Sequence, residues 1–385
     1  MKKIFLSFVF LAFICGASFA DVVYTAATGA SAGIGLIKVT SSKDISAGGL
    51  QYSQLSGGAV VAPYWENNTS NGNGKSKLIV VTPVDSTSTA LSGDQAYTFD
   101  PSNLASPENT TAIVLKGTYG KPIIASTATG AYIYLASNSA IREYATANFT
   151  LRNVCTLTSS DALPNPEVKG LIVDNRVHAL VQRPAGSGDV VINFDGQLKY
   201  SESTMYATKT GANAIAFLSS GTGIAHNKGV QIISGSTSSD VVTTTDPVIA
   251  ICKDTGSGFY YVEKGSSNFS LKHYKNADTT ATIFSDVAVD TNSVQLLDAG
   301  YNLLAIAIGG SIRFYDMANN DALVNAFSAS SLGGSAISIA PATTSGNNGS
   351  SGGSGCVSFR SEELGVRSLL MLAALGLMLK KARKL

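Results

Sequence analysis

The chain has 385 residues, 44% of them hydrophobic, with 27 Lys+Arg against 26 Asp+Glu and a formal net charge of +1. Setting aside its two terminal segments leaves a body with 19 basic and 24 acidic residues, about −5, which lacks the basic footprint that nucleic-acid binding requires. A body of more than 300 residues buries its own core without disulfide staples.

The N-terminus reads as a secretory signal peptide. Lys2 and Lys3 are the positive region, and Ile4 to Ile14 are an apolar run broken only by Ser7. Ser18-Phe19-Ala20 places small residues at the −3 and −1 positions, so the expected cut lies between Ala20 and Asp21. A lipoprotein alternative would make Cys15 the first mature residue, but Phe13 and Ile14 stand where small residues are wanted.

Beyond the cut the apolar stretches are short, β-branched or alternating, and bounded by turn residues, which is the pattern of strands. One strand type recurs: Gly35-Leu-Ile-Lys-Val39, Gln95-Ala-Tyr-Thr-Phe99, Ala140-Ile-Arg-Glu-Tyr144, Val191-Ile-Asn-Phe194, Gly229-Val-Gln-Ile-Ile233, Ser270-Leu-Lys-His-Tyr274 and Ser311-Ile-Arg-Phe-Tyr315. Successive copies are 61, 44, 51, 38, 41 and 41 residues apart. Four copies follow two further strands: Pro122–Ala125 with Ala131–Leu135, Gly170–Val173 with Val177–Val181, Val248–Ile251 with Phe259–Val262, and Val294–Leu297 with Leu303–Ile306. A period near 40 with three or four strands per copy predicts an all-β fold, a seven-bladed β-propeller over residues 21–330. The N-terminal strand Val22–Tyr24 is expected to complete the last blade and close the ring, and Asn67 to Ser76 to form an inserted surface loop. Six or eight blades, or a pair of β-sandwiches, stay open.

Few motifs in the body carry chemistry. Thr28-Gly-Ala-Ser-Ala-Gly-Ile-Gly35 matches the TGxxxGIG nucleotide fingerprint, and Tyr260 to Lys264 matches Tyr-x-x-x-Lys. The first sits just past an export signal and runs into a strand rather than a helix, so it reads as a Gly-rich turn. His178, His226 and His273 fall in different predicted blades without a metal-ligand spacing. Asp286, Asp290, Asp298, Asp316 and Asp321 match no calcium loop and read as turn and cap residues. Tyr64 and Trp65 read as rim residues, with an aromatic contact patch as the sharper alternative. Cys155 and Cys252 are expected as buried thiols in different blades. No catalytic, cofactor-binding or metal residue is assigned and no cofactor is expected. The assigned positions are processing residues: Ala20, Asp21 and Cys356.

The C-terminal part divides into a linker over 331–355, Gly/Ser-rich from Ser345 to Gly355, and a segment over 356–385. The latter holds Cys356, an apolar run from Ser368 to Leu379 expected as a helix, and a basic end of Lys380, Lys381, Arg383 and Lys384. Twelve apolar residues fall short of the roughly 20 that span a bilayer; extension back to Leu364 gives 16. The bland reading is a membrane anchor with its basic end cytoplasmic. In its order of Gly352, Gly353, Gly355 and Cys356, then Ser368 to Leu379, then Lys380 to Lys384, the tail resembles the Synergist-type C-terminal sorting domain of bacterial envelope proteins. The charged stretch from Phe359 to Arg367 departs from that pattern. The body carries neither the WD nor the kelch motif and resembles, in pattern only, propellers with NHL or YVTN-type repeats. The resemblance in the tail implies export and sorting to the cell envelope or surface, with the protein membrane-anchored or released after processing. The expected protein is a monomeric, non-enzymatic binding scaffold for a protein or glycan. The alternative is an exported hydrolase or lyase working at the central channel.

Overall fold

The computed structural model describes residues 20–28, 31–40, 42–55, 62–67, 76–82, 93–99, 105–108, 113–116, 125–128, 132–137, 139–145, 148–173, 176–183, 188–276, 279–289, 294–308, 311–328, 336–340 and 351–352. The signal segment over 1–19, Cys356 and the apolar C-terminal run lie outside them. Among the described residues no helix is long and apolar enough to cross a membrane.

The fold is all-β. In chain order the strands are β1 (Ala20–Thr28), β2 (Ser31–Val39) and β3 (Ile45–Leu55) in a first sheet; β4 (Ala62–Asn67), β5 (Ser76–Thr82), β6 (Gly93–Phe99) and β7 (Ile113–Lys116) in a second; and β8 (Ala125–Ala128), β9 (Tyr132–Ser137), β10 (Ala140–Ala145) and β11 (Leu151–Thr156) in a third. The fourth holds β12 (Glu167–Val173), β13 (Val177–Gln182), β14 (Asp189–Asn193) and β15 (Met205–Thr208), and the fifth β16 (Ala212–Leu218), β17 (Gly221–His226), β18 (Gly229–Ser234) and β19 (Thr237–Thr243). The sixth holds β20 (Val248–Lys253), β21 (Phe259–Lys264), β22 (Asn268–Asn276) and β23 (Thr279–Ala288), and the seventh β24 (Gln295–Asp298), β25 (Leu303–Ile308), β26 (Ser311–Asp316) and β27 (Ala322–Ser328). Each sheet is an antiparallel meander, the organisation of a propeller-like fold. The seven recurring segments of the sequence fall in β2, β6, β10, β14, β18, β22 and β26, the same strand of every sheet.

Burial explains the strand compositions. Every residue of β25, Leu-Leu-Ala-Ile-Ala-Ile, is buried, as both faces of a middle strand pack on neighbouring sheets. The outermost strand β19 is mostly exposed, which accounts for its Ser, Thr and Asp content, whereas β27, also mostly exposed, leaves Leu323 and Val324 at the surface. Turns use the residues their geometry demands: Gly229 opens β18 at φ +138°, where an added Cβ would lie 1.9 Å from the Val242 carbonyl oxygen.

Two strands near the C-terminus add to earlier sheets. β28 (Ala336–Ala340) pairs antiparallel with β1, with Asp21 opposite Ala340 and Thr25 opposite Ala336. The expectation that Val22–Tyr24 would complete the last sheet is therefore corrected: these residues lie in β1, and a later segment joins them in the first sheet. Ala-Ile-Ser-Ile-Ala is a short strand inside the 331–355 stretch, where its Ser/Gly-rich flanks dominate the composition. β29 (Ser351–Gly352) pairs with the open edge of β8. The first strands of successive sheets touch in turn, β28 to β4, β8, β12, β16, β20 and β24, and β24 touches β28.

Candidate functional site

The most concentrated chemistry among the described residues lies where the sixth and seventh sheets meet. Alternation along β22 buries Phe269, Leu271 and His273 on one face. Phe269 and Leu271 pack there with Leu296, Leu304, Ile306 and Tyr315 of the seventh sheet. His273 thus puts an imidazole where the pattern calls for another apolar side chain. Across the ladder its partner is Tyr260 of β21, and the two rings stack with centroids 4.1 Å apart.

Both imidazole nitrogens face carboxylates. Nδ1 lies 2.7 Å from Asp321 Oδ2, supplied by the β26–β27 turn, and Nε2 lies 3.0 Å from Asp254 Oδ2, supplied by the β20–β21 turn. Tyr260 donates its hydroxyl to Asp321 Oδ1 at 2.6 Å. The side chains of His273, Asp321 and Asp254 are 6%, 6% and 12% exposed. Burial alone would push His273 down, but the hydrogen bonds and charges of Asp254 and Asp321 outweigh it and raise it above the ordinary value. For Asp321 burial acts upward, and the bonds from His273 and Tyr260 with the His273 charge turn the net direction downward. Burial, then the Asp321 hydrogen bond, push the Tyr260 phenol well up, so it stays a donor.

The network reaches outward from this centre. Asp254 Oδ1 accepts the Gly256 amide at 2.6 Å, and Ser219 Oγ of the fifth sheet donates to the Gly256 carbonyl at 2.5 Å. A polar chain thereby crosses three sheets. Gly258 is required beside it: an added Cβ would lie 2.2 Å from the Tyr274 carbonyl oxygen and 2.6 Å from Asp254 Oδ2. At the ends of β20 and β24 stand half-buried Lys253 and Asp298. Burial pushes the Lys253 amine down and the Asp298 carboxyl up, and each charge opposes the other's shift.

The histidines noted in the sequence occupy three sheets. His178 on β13 sits 2.6 Å from Asn193 Oδ1, edge-on to Phe217, and His226 on β17 is buried, its Nδ1 accepting the Lys228 amide at 3.2 Å. His273 gathers two acids, which lie 19 residues before it and 48 after it, beyond any local motif. Of the noted aspartates, Asp321 joins the cluster and Asp298 borders it. Asp316 binds Lys43, Asp286 lies 3.7 Å from Arg313, and Asp290 lies outside the described residues. Among the described residues no group of three or more His, Cys, Asp or Glu is arranged to hold a metal ion.

Of the TGxxxGIG stretch, Thr28 ends β1 and pairs with Ser31, which opens β2, and Gly29 and Ala30 lie outside the described residues; the Tyr260 hydroxyl is committed to Asp321. Tyr64 and Trp65 lie on β4. Cys155 is a free buried thiol, pushed up to about 11 by burial. Cys252 is buried but disulfide-bonded, with its partner outside the described residues, which corrects the expectation of a second thiol. Of the processing residues, Ala20 opens β1, Asp21 pairs with both Lys38 and Ala340, and Cys356 lies outside the described residues.

No family model matches this chain, and no curated protein matches it in sequence. Solved structures do resemble it. A protein from Lactobacillus plantarum superposes with a TM-score of 0.56 at 14% identity, covering 84% of this chain and 100% of that one. A functionally unknown protein from Desulfotomaculum acetoxidans gives 0.52 at 10% identity, covering 83% and 98%. At these identities the likeness is one of fold.

Proposed function

We propose that this chain is an exported seven-bladed propeller of the cell envelope or surface, a non-enzymatic scaffold that binds a protein or glycan and is displayed by its C-terminal tail. The observation that carries the reading is the pairing of Asp21 with Ala340. The residue that signal cleavage would expose lies beside the last residue of β28, ahead of the Gly/Ser-rich stretch that begins at Ser345. The first strand after the expected cut is thereby tied to a strand just ahead of the Gly/Ser-rich stretch, which supports a body flanked by two processing segments. The serial contact of the inner strands supports a ring of seven blades, with β28 closing it.

One observation favours a second reading, an exported hydrolase or lyase: Asp254, Asp298, Asp321 and Lys253 gather at one end of the sixth and seventh sheets. Against it, His273 has a carboxylate on each nitrogen, which leaves neither free to take a substrate proton. Intact-mass measurement of protein recovered from the native envelope tests the first reading. A species beginning at Asp21 and ending near Cys356 supports export and tail processing, and one that retains the signal segment overturns export. Full-length protein assayed against glycan and protein fractions of the same envelope tests the scaffold: retention without turnover is expected, and hydrolysis of a retained glycan would establish the enzyme.

A further inference from the structure

We propose that His273 is a doubly protonated latch that ties the sixth sheet to the seventh and lets go on alkalinisation. The argument starts from valence. A carboxylate only accepts, so a ring nitrogen 2.7 or 3.0 Å from one must carry a proton. A neutral imidazole has a single N–H and would leave its other nitrogen's lone pair against a buried oxygen. With both acids ionised, both nitrogens are protonated, and the cluster holds one positive and two negative charges.

The groups facing the ring leave the proton no alternative home. Asp254 comes from the β20–β21 turn, Asp321 from the β26–β27 turn, and Tyr260 from β21 lies against the ring face. Asp298 of β24 adds negative charge near Tyr260, while Lys253 of β20 and Lys275 of β22 add positive charge near Asp254 and Asp321. The lysines oppose the imidazolium at longer range, and the two contacting carboxylates dominate. Loss of the proton would leave the buried Asp321 carboxylate and the part-buried Asp254 carboxylate facing one neutral ring, and the cheapest relief is outward movement of the more exposed partner, Asp254. Asp254 also holds its own turn through the Gly256 amide, and Ser219 of the fifth sheet grips that turn. Release at His273 is therefore transmitted to the Asp254–Gly258 turn and the fifth-sheet contact.

The folded imidazole titrates higher than the unfolded one, so the latch is fully engaged below the unfolded value of about 6.5 and is lost as pH rises through the raised folded value. The test is hydrogen exchange of the Gly256 amide in the full chain against pH, corrected for intrinsic exchange, with nitrogen NMR of His273. The expected result is an imidazolium signature at pH 7 and an opening constant that grows with pH, by at most about tenfold per unit, between the unfolded imidazole value of about 6.5 and the His273 midpoint, and levels off above it. Asp254→Asn, which keeps the side chain's size, should move that midpoint to lower pH, and His273→Gln should abolish the slope. A neutral ring at pH 7, or a wild-type slope retained in folded Asp254→Asn, overturns the latch. If His273→Gln fails to fold, the Asp254→Asn midpoint and the wild-type NMR signature decide the matter alone.

Discussion

The third and fourth sheets meet through an almost wholly apolar contact, whereas the sixth and seventh meet through an apolar contact with a charged rim. In the first, Tyr134, Ile141 and Cys155 pack with Val168, Leu171, Ile192 and Phe194. In the second, Val262 and Leu271 pack with Leu296, Leu304 and Ile306, and the Asp254–His273–Asp321 chain closes one end. The strand geometry is the same in both. An apolar contact scales with the area removed from water and is indifferent to direction or pH. A buried ionic chain works only with every partner present and every proton placed. One junction thus sets strength, while the other also sets registry and responds to protons.

The comparison breaks most easily at the apolar junction. Phe194 is fully buried, edge-on to Tyr200. Phe194→Ala should cost about 3–5 kcal/mol through lost transfer and the cavity left behind. Denaturant titration at pH 6 and pH 9 should give the same loss at both, because nothing in that cluster near the substitution titrates between them. A loss that changes strongly with pH would show that the third and fourth sheets are not held by packing alone.

The Cys155 thiol sharpens the same point by kinetics. Burial moves it to about 11 from an ordinary 9.0, so its thiolate population near neutrality falls about a hundredfold. Iodoacetamide at pH 8, followed by mass spectrometry, should label Cys155 at least a hundredfold more slowly in folded protein than in urea. Rapid labelling in the folded state would mean that this junction opens on its own.

At the charged junction Asp321→Asn keeps the shape and removes the charge. The expected cost is about 1.5–3 kcal/mol, the scale of hydrogen bonds to charged groups. Its pH dependence distinguishes it from Phe194→Ala. The lowered Asp321 carboxyl contributes above its unfolded value and loses that contribution as pH falls through the folded one. The raised His273 contributes up to its folded value and is lost above it. The cost of Asp321→Asn should therefore be greatest between these two titrations and shrink on either side, as read from denaturant midpoints across pH.

The two junctions also differ in how they appear in the sequence. The repeated small-apolar-polar-apolar strand announces itself seven times, because each copy solves the same packing problem, and it marks one strand of every sheet. The fifth sheet's earlier strands were harder to see, since Ala212–Leu218 and Gly221–His226 reach burial with Ala and Gly instead of large apolar residues. β28 was hidden by its Ser/Gly-rich neighbours, although Ala-Ile-Ser-Ile-Ala alternates as a strand should. The charged cluster left a single local trace, a histidine at the next buried position after Phe269 and Leu271. Its acids come from turns in two sheets, and turn aspartates are common for reasons unrelated to any partner. Only the fold brings them to one ring.

The seam between the seventh and first sheets lies between these extremes. Lys43, in the β2–β3 turn, reaches Asp316 at 2.5 Å, and Asn325 of β27 donates to the Ile45 carbonyl at 3.0 Å beside it. Lys43 is 27% exposed and Asp316 11%, so solvent screens the pair far more than it screens His273. The Lys43 hydrogen bond holds the Asp316 carboxyl below the usual range, and its contribution is present above the unfolded value and lost as pH falls through the folded one. Lys43→Met preserves the apolar stem and should cost about 0.2–1 kcal/mol. Half a molar salt should erase most of that difference while leaving Asp321→Asn nearly unchanged. A Lys43→Met cost that survives salt and exceeds that of Asp321→Asn would move the principal electrostatic tie from the sixth–seventh junction to the seam with the first sheet.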